Sequence, residues 1–231
     1  ALGADMVAYA EAKELAEKGF LTSSCCPAFV SYVHKQFPML SENVSHNTSP
    51  MATIAKFIKG MDKEAKTIFI GPCTAKKGEA QLHGVREYVD CVMTFEELQA
   101  VLDSRDIELT ELEETDLNNA SGFGRSFARC GGLAEAAVEA LKEQGIDFEV
   151  KPVSCSGIEE CRLALLKASK GRAEGNFIEG MACIGGCING AGCLTHGERN
   201  KNKIDAHSRQ AKDKTIVESL HEAETGLEAA K

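Results

Sequence analysis

Two cysteines stand four residues apart in a glycine-rich stretch, and their spacing is the strongest chemical signal in the chain. Cys183 and Cys187 flank Gly185 and Gly186, close behind an apolar run. Side chains at i and i+4 of a helical turn lie on one face, so a turn that begins at Cys183 would direct both sulfurs to the same side. Glycines allow the backbone to approach a bound group closely. The pattern favours thiolate ligands of a metal cluster over a disulfide.

Two further cysteine motifs lie far upstream. The first reads TSSCCPAF over residues 22–29, and the second reads GPCTAKKGE over residues 71–79. Together with EGMACIGGCINGAGC over residues 179–193, they resemble the three signature motifs of the [FeFe]-hydrogenase catalytic domain. The resemblance extends through nearly the whole chain. It implies a two-lobed α/β domain with mixed or parallel sheets flanked by helices and an incomplete amino-terminal lobe.

The resemblance assigns four cysteines to a metal cofactor: Cys26, Cys73, Cys183 and Cys187. Four thiolates are the ligand set of a [4Fe–4S] cube. Cys187 would also reach an iron of a diiron unit that carries carbon monoxide, cyanide and an azadithiolate bridge, which completes the H-cluster. Taken singly, each cysteine is more simply a buried, inert residue. Taken with their motifs, the four are predicted to be ligands.

The resemblance also implies a route for protons. Cys25 would exchange protons with the bridging amine, because a free thiol has a pKa near ~8.5 and still holds its proton at neutral pH. The relay would run from Glu14 through Ser45, Glu11 and a water molecule to Cys25. Without the resemblance, Glu11 and Glu14 would be two solvated carboxylates on one helix face, and Ser45 would be an ordinary loop hydroxyl.

Five further residues would contact the cofactor if the resemblance holds: Lys76, Met181, Phe127, Ser49 and Pro50. Lys76 would donate a charge-assisted hydrogen bond to a cyanide ligand, which is favourable beside an anion in a dry pocket. Glu79 would orient that lysine, as carboxylates around metal sites orient the ligands.

Composition narrows the class of protein. The net charge is -9, from 26 lysines and arginines against 35 aspartates and glutamates, which argues against a nucleic-acid partner. No apolar run approaches the ~18 residues of a membrane span, and residues 1–20 lack a signal-peptide pattern. We therefore expect a soluble, cytoplasmic protein, in which the ten cysteines serve as metal ligands and reactive thiols.

A group of basic residues follows the last cysteine motif: Arg199, Lys201, Lys203, Arg209, Lys212 and Lys214. It is either a solvated surface run or a landing site for an acidic electron carrier such as ferredoxin. Ferredoxin and the hydrogenase maturation proteins are the partners that the resemblance implies.

Helix and strand signals position the motifs. Helices are predicted over residues 4–18 with Gly19 as the stop, 27–37, from 50 with Ser49 as N-cap, 94–102, 122–142, 158–168 and 214–220. Strands are predicted over residues 20–22, 66–70, 88–93, 147–153 and 175–178. The strand at 66–70 delivers Cys73 at its carboxyl end, where ligands bind in open α/β sheets.

The resemblance predicts a partial catalytic domain over residues 1–195 and a helical tail of the same domain over residues 196–231. Because the chain opens at Ala1 inside a helix, we expect a fragment, or a chain that needs a partner subunit or a second copy to close its site. Gly71, Met51 and Ala28 with Phe29 differ from the usual family residues and indicate a divergent subgroup. Cys193 is either an extra thiol near the cluster or a packed residue.

Three functions are consistent with these patterns. The first is reversible reduction of protons to hydrogen with electrons from a carrier such as ferredoxin. The second is a sensory hydrogenase that reports hydrogen to a partner domain. The third is a hydrogenase-like iron–sulfur assembly protein, which would not need Cys25, Lys76 or the relay. A zinc site is less favoured, because the spacings lack paired C-x-x-C knuckles.

Overall fold

The computed structural model describes residues 1–115, 117 and 120–229 of the chain. Its helices are α1 (Leu2–Lys18), α2 (Pro27–Gln36), α3 (Pro50–Met61), α4 (Ala75–Glu79), α5 (Phe95–Asp103), α6 (Gly122–Ser126), α7 (Gly132–Glu143), α8 (Ile158–Ala168), α9 (Arg199–Arg209) and α10 (Ile216–Ala229). Its strands are β1 (Leu21–Thr22), β2 (Ile68–Ile70), β3 (Cys91–Met93), β4 (Pro152–Ser156) and β5 (Phe177–Met181). None of the helices in these residues is long and apolar enough to cross a membrane.

The strands form two parallel sheets. The larger has the order β1-β5-β4, and the smaller pairs β2 with β3. Leu21 lies opposite Phe177 on the central strand β5, and Ser156 lies opposite Met181. Every residue of β5 is buried, as expected for a parallel strand that is covered on both faces. The predicted α/β class, with parallel sheets flanked by helices, is confirmed.

Helix α1 lies in the main hydrophobic core and contacts α3, α6, α7 and α10. Val7 and Leu15 are almost fully buried on its inner face. A Cβ at Gly3 would stand 2.4 Å from the carbonyl oxygen of Pro50, so only glycine permits this close approach to α3. The helix ends as predicted at Gly19, whose φ of 75° is left-handed and whose N–H donates to Leu15.

The carboxyl ends of three parallel strands lead into the three cysteine motifs. β1 ends at Thr22, shortly before Cys25 and Cys26, and β5 ends at Met181, shortly before Cys183. β2 ends at Ile70 and leads to Cys73 in the smaller sheet. Parallel strands present their carboxyl ends at one edge of a sheet, which is where α/β folds build their sites.

Side-chain caps fix several helices at their predicted starts. Ser49 accepts a hydrogen bond from the N–H of Ala52 and so caps α3, while Thr94 and Glu97 form a reciprocal capping box on α5. Helix α7 is capped from β5 by the buried carboxylate of Glu179, which accepts from the N–H groups of Gly131 (3.0 Å) and Ala134 (3.2 Å). An anion at a helix N-terminus is favourable, and this contact joins the sheet to the helical layer.

The helix predicted over residues 122–142 is wrong, because the structure divides it into α6 and α7. Gly131 has a φ of 88°, which interrupts the right-handed helix. A Cβ at Gly132 would stand 2.3 Å from the carbonyl oxygen of Ser126, so the chain folds tightly back on itself here. The break places Phe127 in the turn between the two helices.

Each of the five predicted strands starts later in the structure than in the prediction. β3 begins at Cys91 because residues 85–89 form helical turns, in which the N–H of Val89 donates to Val85. β4 covers residues 152–156 in place of 147–153, and β5 covers 177–181 in place of 175–178. Pairing with neighbouring strands, rather than local β-propensity, sets these boundaries.

The carboxyl-terminal part contains one helix that the sequence signals missed. α9 is mostly polar, with only Ile204 and Ala206 as apolar residues, yet the ion pair of Arg129 with Asp205 (2.8 Å) and packing against α6 hold it in place. The predicted helix at 214–220 is the start of the longer α10. Residues 230 and 231 of the predicted tail lie outside the described residues.

Candidate active site

The structure brings the four predicted cysteine ligands together. Cys26, Cys73, Cys183 and Cys187 line one cavity of about 120 Å³. Met181 and two glycines of the third motif, Gly186 and Gly190, also line it. A Cβ at Gly190 would stand 2.4 Å from the carbonyl oxygen of Pro72, and the N–H of Gly192 donates to that same oxygen at 2.9 Å. The second and third motifs are therefore locked together through their backbones.

The convergence of Cys183 and Cys187 does not come from a helical turn, so that prediction is wrong. The chain between them is a glycine turn, with φ of 82° at Gly185 and 96° at Gly186, and Cys187 then begins a short 3-10 helix. A Cβ at Gly186 would lie 2.6 Å from the backbone nitrogen of Cys130. Only glycine satisfies both the conformation and the space, which explains its presence between the two cysteines.

Burial and mutual repulsion oppose ionisation of these thiols. Burial, with the charges of the nearby Cys26 and Cys73 acting in the same direction, raises the pKa of Cys187 to about 12. Burial likewise raises the pKa of Cys73, although the N–H and the charge of Lys76 act to lower it. A cationic group bound between the sulfurs would reverse this balance, because thiolates and cations stabilise each other.

The donor set fits an iron–sulfur cluster better than a single ion. Four thiols with one shared cavity are the ligand chemistry of such clusters. Within the described residues, no three His, Cys, Asp or Glu side chains converge tightly enough to hold one metal ion.

Cys25 and Cys26 face opposite sides of the chain. The backbone at Cys26 is extended, with φ of -98° and ψ of 106°, so successive side chains point in opposite directions. Cys25 packs in the main core with Phe127 and Met181, and Cys187 packs against the same core. Three residues predicted to surround the cofactor are thus brought together next to one predicted ligand. Burial raises the pKa of the Cys25 thiol well above its usual range.

Lys76 lies buried beside Cys25. Its Nζ donates to the carbonyl oxygen of Cys25 (3.1 Å) and to Oε2 of Glu79 (2.7 Å), and both side chains are more than nine-tenths buried. Lysine has three donors, and two are satisfied by these described residues. The third N–H of Lys76 has no hydrogen-bond partner among the described residues.

The predicted relay residues lie in one row from the core to the surface. Glu11 is fully buried, and its Oε1 accepts from the N–H of Ser24 at 3.3 Å. Within the described part of the chain, Oε2 of Glu11 has no hydrogen-bond partner. Ser45 donates to Oε2 of Glu14 at 2.9 Å. A buried carboxylate oxygen requires a donor, and a water molecule between Glu11 and Cys25 would supply one.

The two carboxylates of this row have opposite pKa shifts. Burial raises the pKa of Glu11 to about 8, although the nearby Ser45 hydroxyl and the N–H of Ser24 act to lower it. Burial also acts to raise the pKa of Glu14, but Lys18, the N–H of His46 and Ser45 together lower it. The inner acid therefore holds a proton near neutral pH, and the outer acid is ionised.

Sequence reasoning missed two residues that complete this row. Asn47 donates from Nδ2 to Oε2 of Glu14 (2.9 Å) and to Oγ of Ser45 (3.1 Å), and its carbonyl accepts from Ser24 (2.6 Å). His46 contacts Glu14 through both its backbone and its ring. The only sequence signal was the run of polar residues next to Ser45.

Ser49 and Pro50 lie at the start of α3 and do not line the cysteine cavity. The hydroxyl of Ser49 is used as the N-cap, and Pro50 packs against Gly3 of α1. Their predicted contact with a cofactor stays a prediction.

The raised pKa of the buried acid Glu11 predicts how the free energy of unfolding depends on pH. A carboxyl whose pKa is higher in the folded than in the unfolded chain stabilises the fold at low pH, and this stabilisation is lost as pH rises through the folded pKa. Between about pH 5 and about pH 8, Glu11 should lower the free energy of unfolding by up to ~1.4 kcal/mol per pH unit. Urea unfolding of the cluster-free chain at several pH values, compared with Glu11→Gln, measures this slope. Equal slopes in the two proteins would contradict the prediction, since Asp5 and Glu179, whose pKa values are also raised by burial, remain in both.

Comparison with known proteins places this geometry in a family. The family model "Iron only hydrogenase large subunit, C-terminal domain" matches residues 1–191. Iron hydrogenase 1 of Clostridium pasteurianum is 30% identical over 252 aligned residues, covering 88% of this chain and 44% of its own length. A cytosolic Fe-S cluster assembly factor of Danio rerio is 23% identical over 232 residues, covering 79% of this chain and 56% of its own. The chain thus spans about half the length of these curated relatives.

Solved structures agree on the fold. One that describes stepwise assembly of the [FeFe]-hydrogenase H-cluster superposes with a TM-score of 0.74 at 20% identity. The superposition covers 96% of this chain and 77% of that one. The predicted family resemblance is confirmed, because the family model covers most of the chain. The protein is a hydrogenase-like domain that belongs to the iron-only hydrogenase large-subunit family, whose members bind iron–sulfur clusters.

Proposed function

We propose that this chain carries the catalytic centre of an [FeFe]-hydrogenase, which reversibly reduces protons to hydrogen. The observation that supports this most is the position of Cys25. It is a buried thiol that packs on one side with Cys187 and lies at the inner end of the row from Glu14 to Glu11. A thiol between a four-cysteine cavity and a proton path is the arrangement that proton reduction needs.

The four cysteines of the cavity would hold the [4Fe–4S] cube, with Cys187 shared with the diiron unit of the H-cluster. When bound, the diiron unit supplies the making and breaking of the H–H bond. The chain positions and insulates it: Lys76 offers its remaining donor to an anionic ligand, while Phe127 and Met181 exclude water. Ser49 and Pro50 are retained as proposed outer contacts.

Protons would move along residues of the chain itself. Glu14 passes a proton through the hydroxyl of Ser45 to Glu11, whose pKa of about 8 allows it to gain and lose a proton near neutral pH. A water molecule on the unpartnered Oε2 of Glu11 would carry the proton to Cys25. Cys25 would then hold it at its sulfur, facing the cofactor.

Iron–sulfur assembly is the second candidate, because one relative is named as an assembly factor. That function requires cysteines for a cluster, but it has no use for a buried acid with a raised pKa or for the Lys76 and Glu79 ion pair. Both features are costly to bury. In a hydrogenase the buried acid would carry protons, and the ion pair would position Lys76 toward an anionic ligand of the cofactor. They favour the hydrogenase.

Infrared spectroscopy tests the choice. The chain is produced with the hydrogenase maturation proteins and examined for absorption by bound carbon monoxide and cyanide. These bands, together with hydrogen production, are the expected result. A normal cube signal without such bands in the matured protein would overturn the hydrogenase proposal and favour assembly.

We further propose that residues 1–195 form the catalytic domain and residues 196–231 its helical tail. A further lobe or a partner subunit would cover the small sheet, where Ile68 is 57% and Ile70 is 42% exposed. A two-stranded sheet with exposed apolar side chains is weak alone and gains from such a cover.

The tail would also provide the docking site for an acidic electron carrier such as ferredoxin. Asn200 of α9 donates to the carbonyl of Ile188 at 2.8 Å, so α9 lies directly against the 3-10 helix that begins at Cys187. Arg199, Lys201 and Lys203 are exposed on this helix. An apolar pocket of about 300 Å³ lies beside them. Positive charge around an apolar centre, next to the cluster site, suits an acidic carrier.

Charge reversal on α9 should therefore weaken use of the carrier. We expect Lys201→Glu with Lys203→Glu to raise the KM for an acidic ferredoxin about tenfold at low salt, and less at high salt, because steering is screened. The kcat with a small dye as electron donor should not change. The matched control reverses two exposed lysines outside α9, Lys63 and Lys170. Equal effects of both pairs would place the docking site elsewhere.

A further inference from the structure

His46 occupies the outer end of the relay row. Its Nδ1 lies 3.3 Å from Oε1 of Glu14 and 3.5 Å from Nζ of Lys18. Its backbone N–H donates to both carboxylate oxygens of Glu14 at 3.1 Å. The side chain of His46 is 71% exposed, whereas that of Glu14 is 14% exposed. The imidazole therefore contacts the relay on one side and solvent on the other.

The two oxygens of Glu14 face different neighbours. Oε1 faces Lys18 (2.8 Å) and His46, while Oε2 accepts from Ser45 and Asn47 at 2.9 Å each. Asn47 holds Ser45 and Glu14 in this arrangement, because its amide donates to both. The carboxylate thus has an outer oxygen toward solvent and an inner oxygen toward Glu11. A proton that binds Oε1 reaches Ser45 when the carboxyl group rotates and exchanges the positions of its two oxygens, so that the new O–H faces the Ser45 hydroxyl.

The outer oxygen needs a group that exchanges protons readily with water. Glu14 is ionised near neutral pH, since its pKa is lowered, and free hydronium is scarce there. Lys18 contacts this oxygen as an ion-pair partner at 2.8 Å. Imidazole is the side chain whose charge normally changes between about pH 5 and about pH 8. The charged groups that face this imidazole are Glu14 and Lys18 of α1.

We propose that His46 is the residue that exchanges protons between bulk water and Glu14, an inference that rests on the proposed relay. In the inward step the N–H bond at Nδ1 of the imidazolium breaks, and an O–H bond forms at Oε1 of Glu14. The neutral imidazole then regains a proton from buffer or water. In the outward step the same transfer runs in reverse. No electron moves, and Lys18 serves only to hold the carboxylate in place.

The test follows proton uptake by Glu11, which requires no hydrogen chemistry. The chain that carries only its iron–sulfur cube is brought rapidly from a pH well above the pKa of Glu11, about 8, to neutral pH. The infrared band of the protonated carboxyl then reports the rate of uptake, and Glu11→Gln identifies the band. We expect His46→Gln to slow uptake roughly tenfold or more without moving the end point, and free imidazole to restore the rate.

His34→Gln is the matched control. His34 is another exposed histidine, bonded to Ser41 at 3.0 Å and outside the relay row. Its substitution should leave the rate of uptake unchanged. An unchanged rate in His46→Gln, a slow rate that imidazole does not restore, or an equal effect of His34→Gln would each overturn the role of His46.

Hydrogen production by the matured chain separates this inference from the function it rests on. Turnover in His46→Gln should depend on buffer concentration more strongly than turnover in the unsubstituted chain. If the unsubstituted chain produced no hydrogen, the hydrogenase proposal would be wrong. The infrared measurement on Glu11 would still decide the role of His46.

Discussion

Cys25→Ala should abolish most hydrogen turnover and leave the iron content unchanged. The physical reason is that Cys25 lies in the main core, to which Phe127 and Met181 also belong, whereas the predicted ligand Cys26 lies in a second hydrophobic cluster. Removing the sulfur of Cys25 therefore takes no ligand from the cavity, but it removes the last proton-holding group of the relay. A positioned acid or base contributes about 10²–10⁴ in rate, and we expect a loss of that size.

The measurement combines three readings on the same preparation. Hydrogen production with a reduced dye gives turnover, iron analysis gives the cluster content, and infrared absorption shows whether the diiron ligands are present. Cys25→Ser should be nearly as slow as Cys25→Ala, because a hydroxyl of similar size gives up its proton far less readily than a thiol. Cys91→Ala, which removes an exposed thiol, is the control and should retain full turnover. Undiminished hydrogen production in Cys25→Ala would show that protons reach the cofactor by another route.

The position of the ligands followed from local signals in the sequence. Strand propensity before Cys73 and before Cys183, with glycine or proline just after each strand, placed these cysteines at the carboxyl ends of strands. Parallel pairing of β1 with β5 brings the first and third motifs to one edge, so the meeting of Cys26 and Cys183 could be anticipated. Cys73 follows β2 of the smaller sheet, so its approach to them depends on contacts between the two sheets. What could not be anticipated was the route between Cys183 and Cys187. Its glycines take left-handed φ values because Cys130 packs against them, and that contact comes from a distant segment.

The outer part of the relay depends on contacts between distant segments of the chain, so local sequence patterns could not predict it. Helix propensity correctly placed Glu11 and Glu14 on one face of α1. Which of them is buried depends on the loop at residues 45–47, which lies more than thirty positions away and is held by Ser24. The contact of His46 with Glu14 arises only when this loop closes over α1. The polar helix α9 was missed for the same reason, since tertiary contacts alone hold it.

Cys73→Ala should prevent assembly of the cluster, which is the largest effect expected of any single substitution. Cys73 lines the cavity from the second motif, and the neighbouring backbone of Pro72 is fixed to Gly192, so no other residue can move into its place. Loss of a partner outside the ligand shell costs about 10–100-fold in metal affinity, and loss of a ligand should cost more. We expect iron bound per chain and the visible absorption of the cluster both to fall to background.

Cys193→Ala is the informative control, because it separates the two interpretations of the fifth cysteine in this region. Cys193 is buried, but its sulfur points to the carbonyl of Ile188 at 3.3 Å and lines the neighbouring apolar pocket rather than the cluster cavity. The Cys193→Ala variant should therefore retain its iron. Full iron content in Cys73→Ala would show that the cavity is not the cluster site. Iron loss in Cys193→Ala equal to that in Cys73→Ala would show that packing of the whole motif, rather than ligation, controls metal content. The cavity binds iron through its own four sulfurs only if the two variants differ.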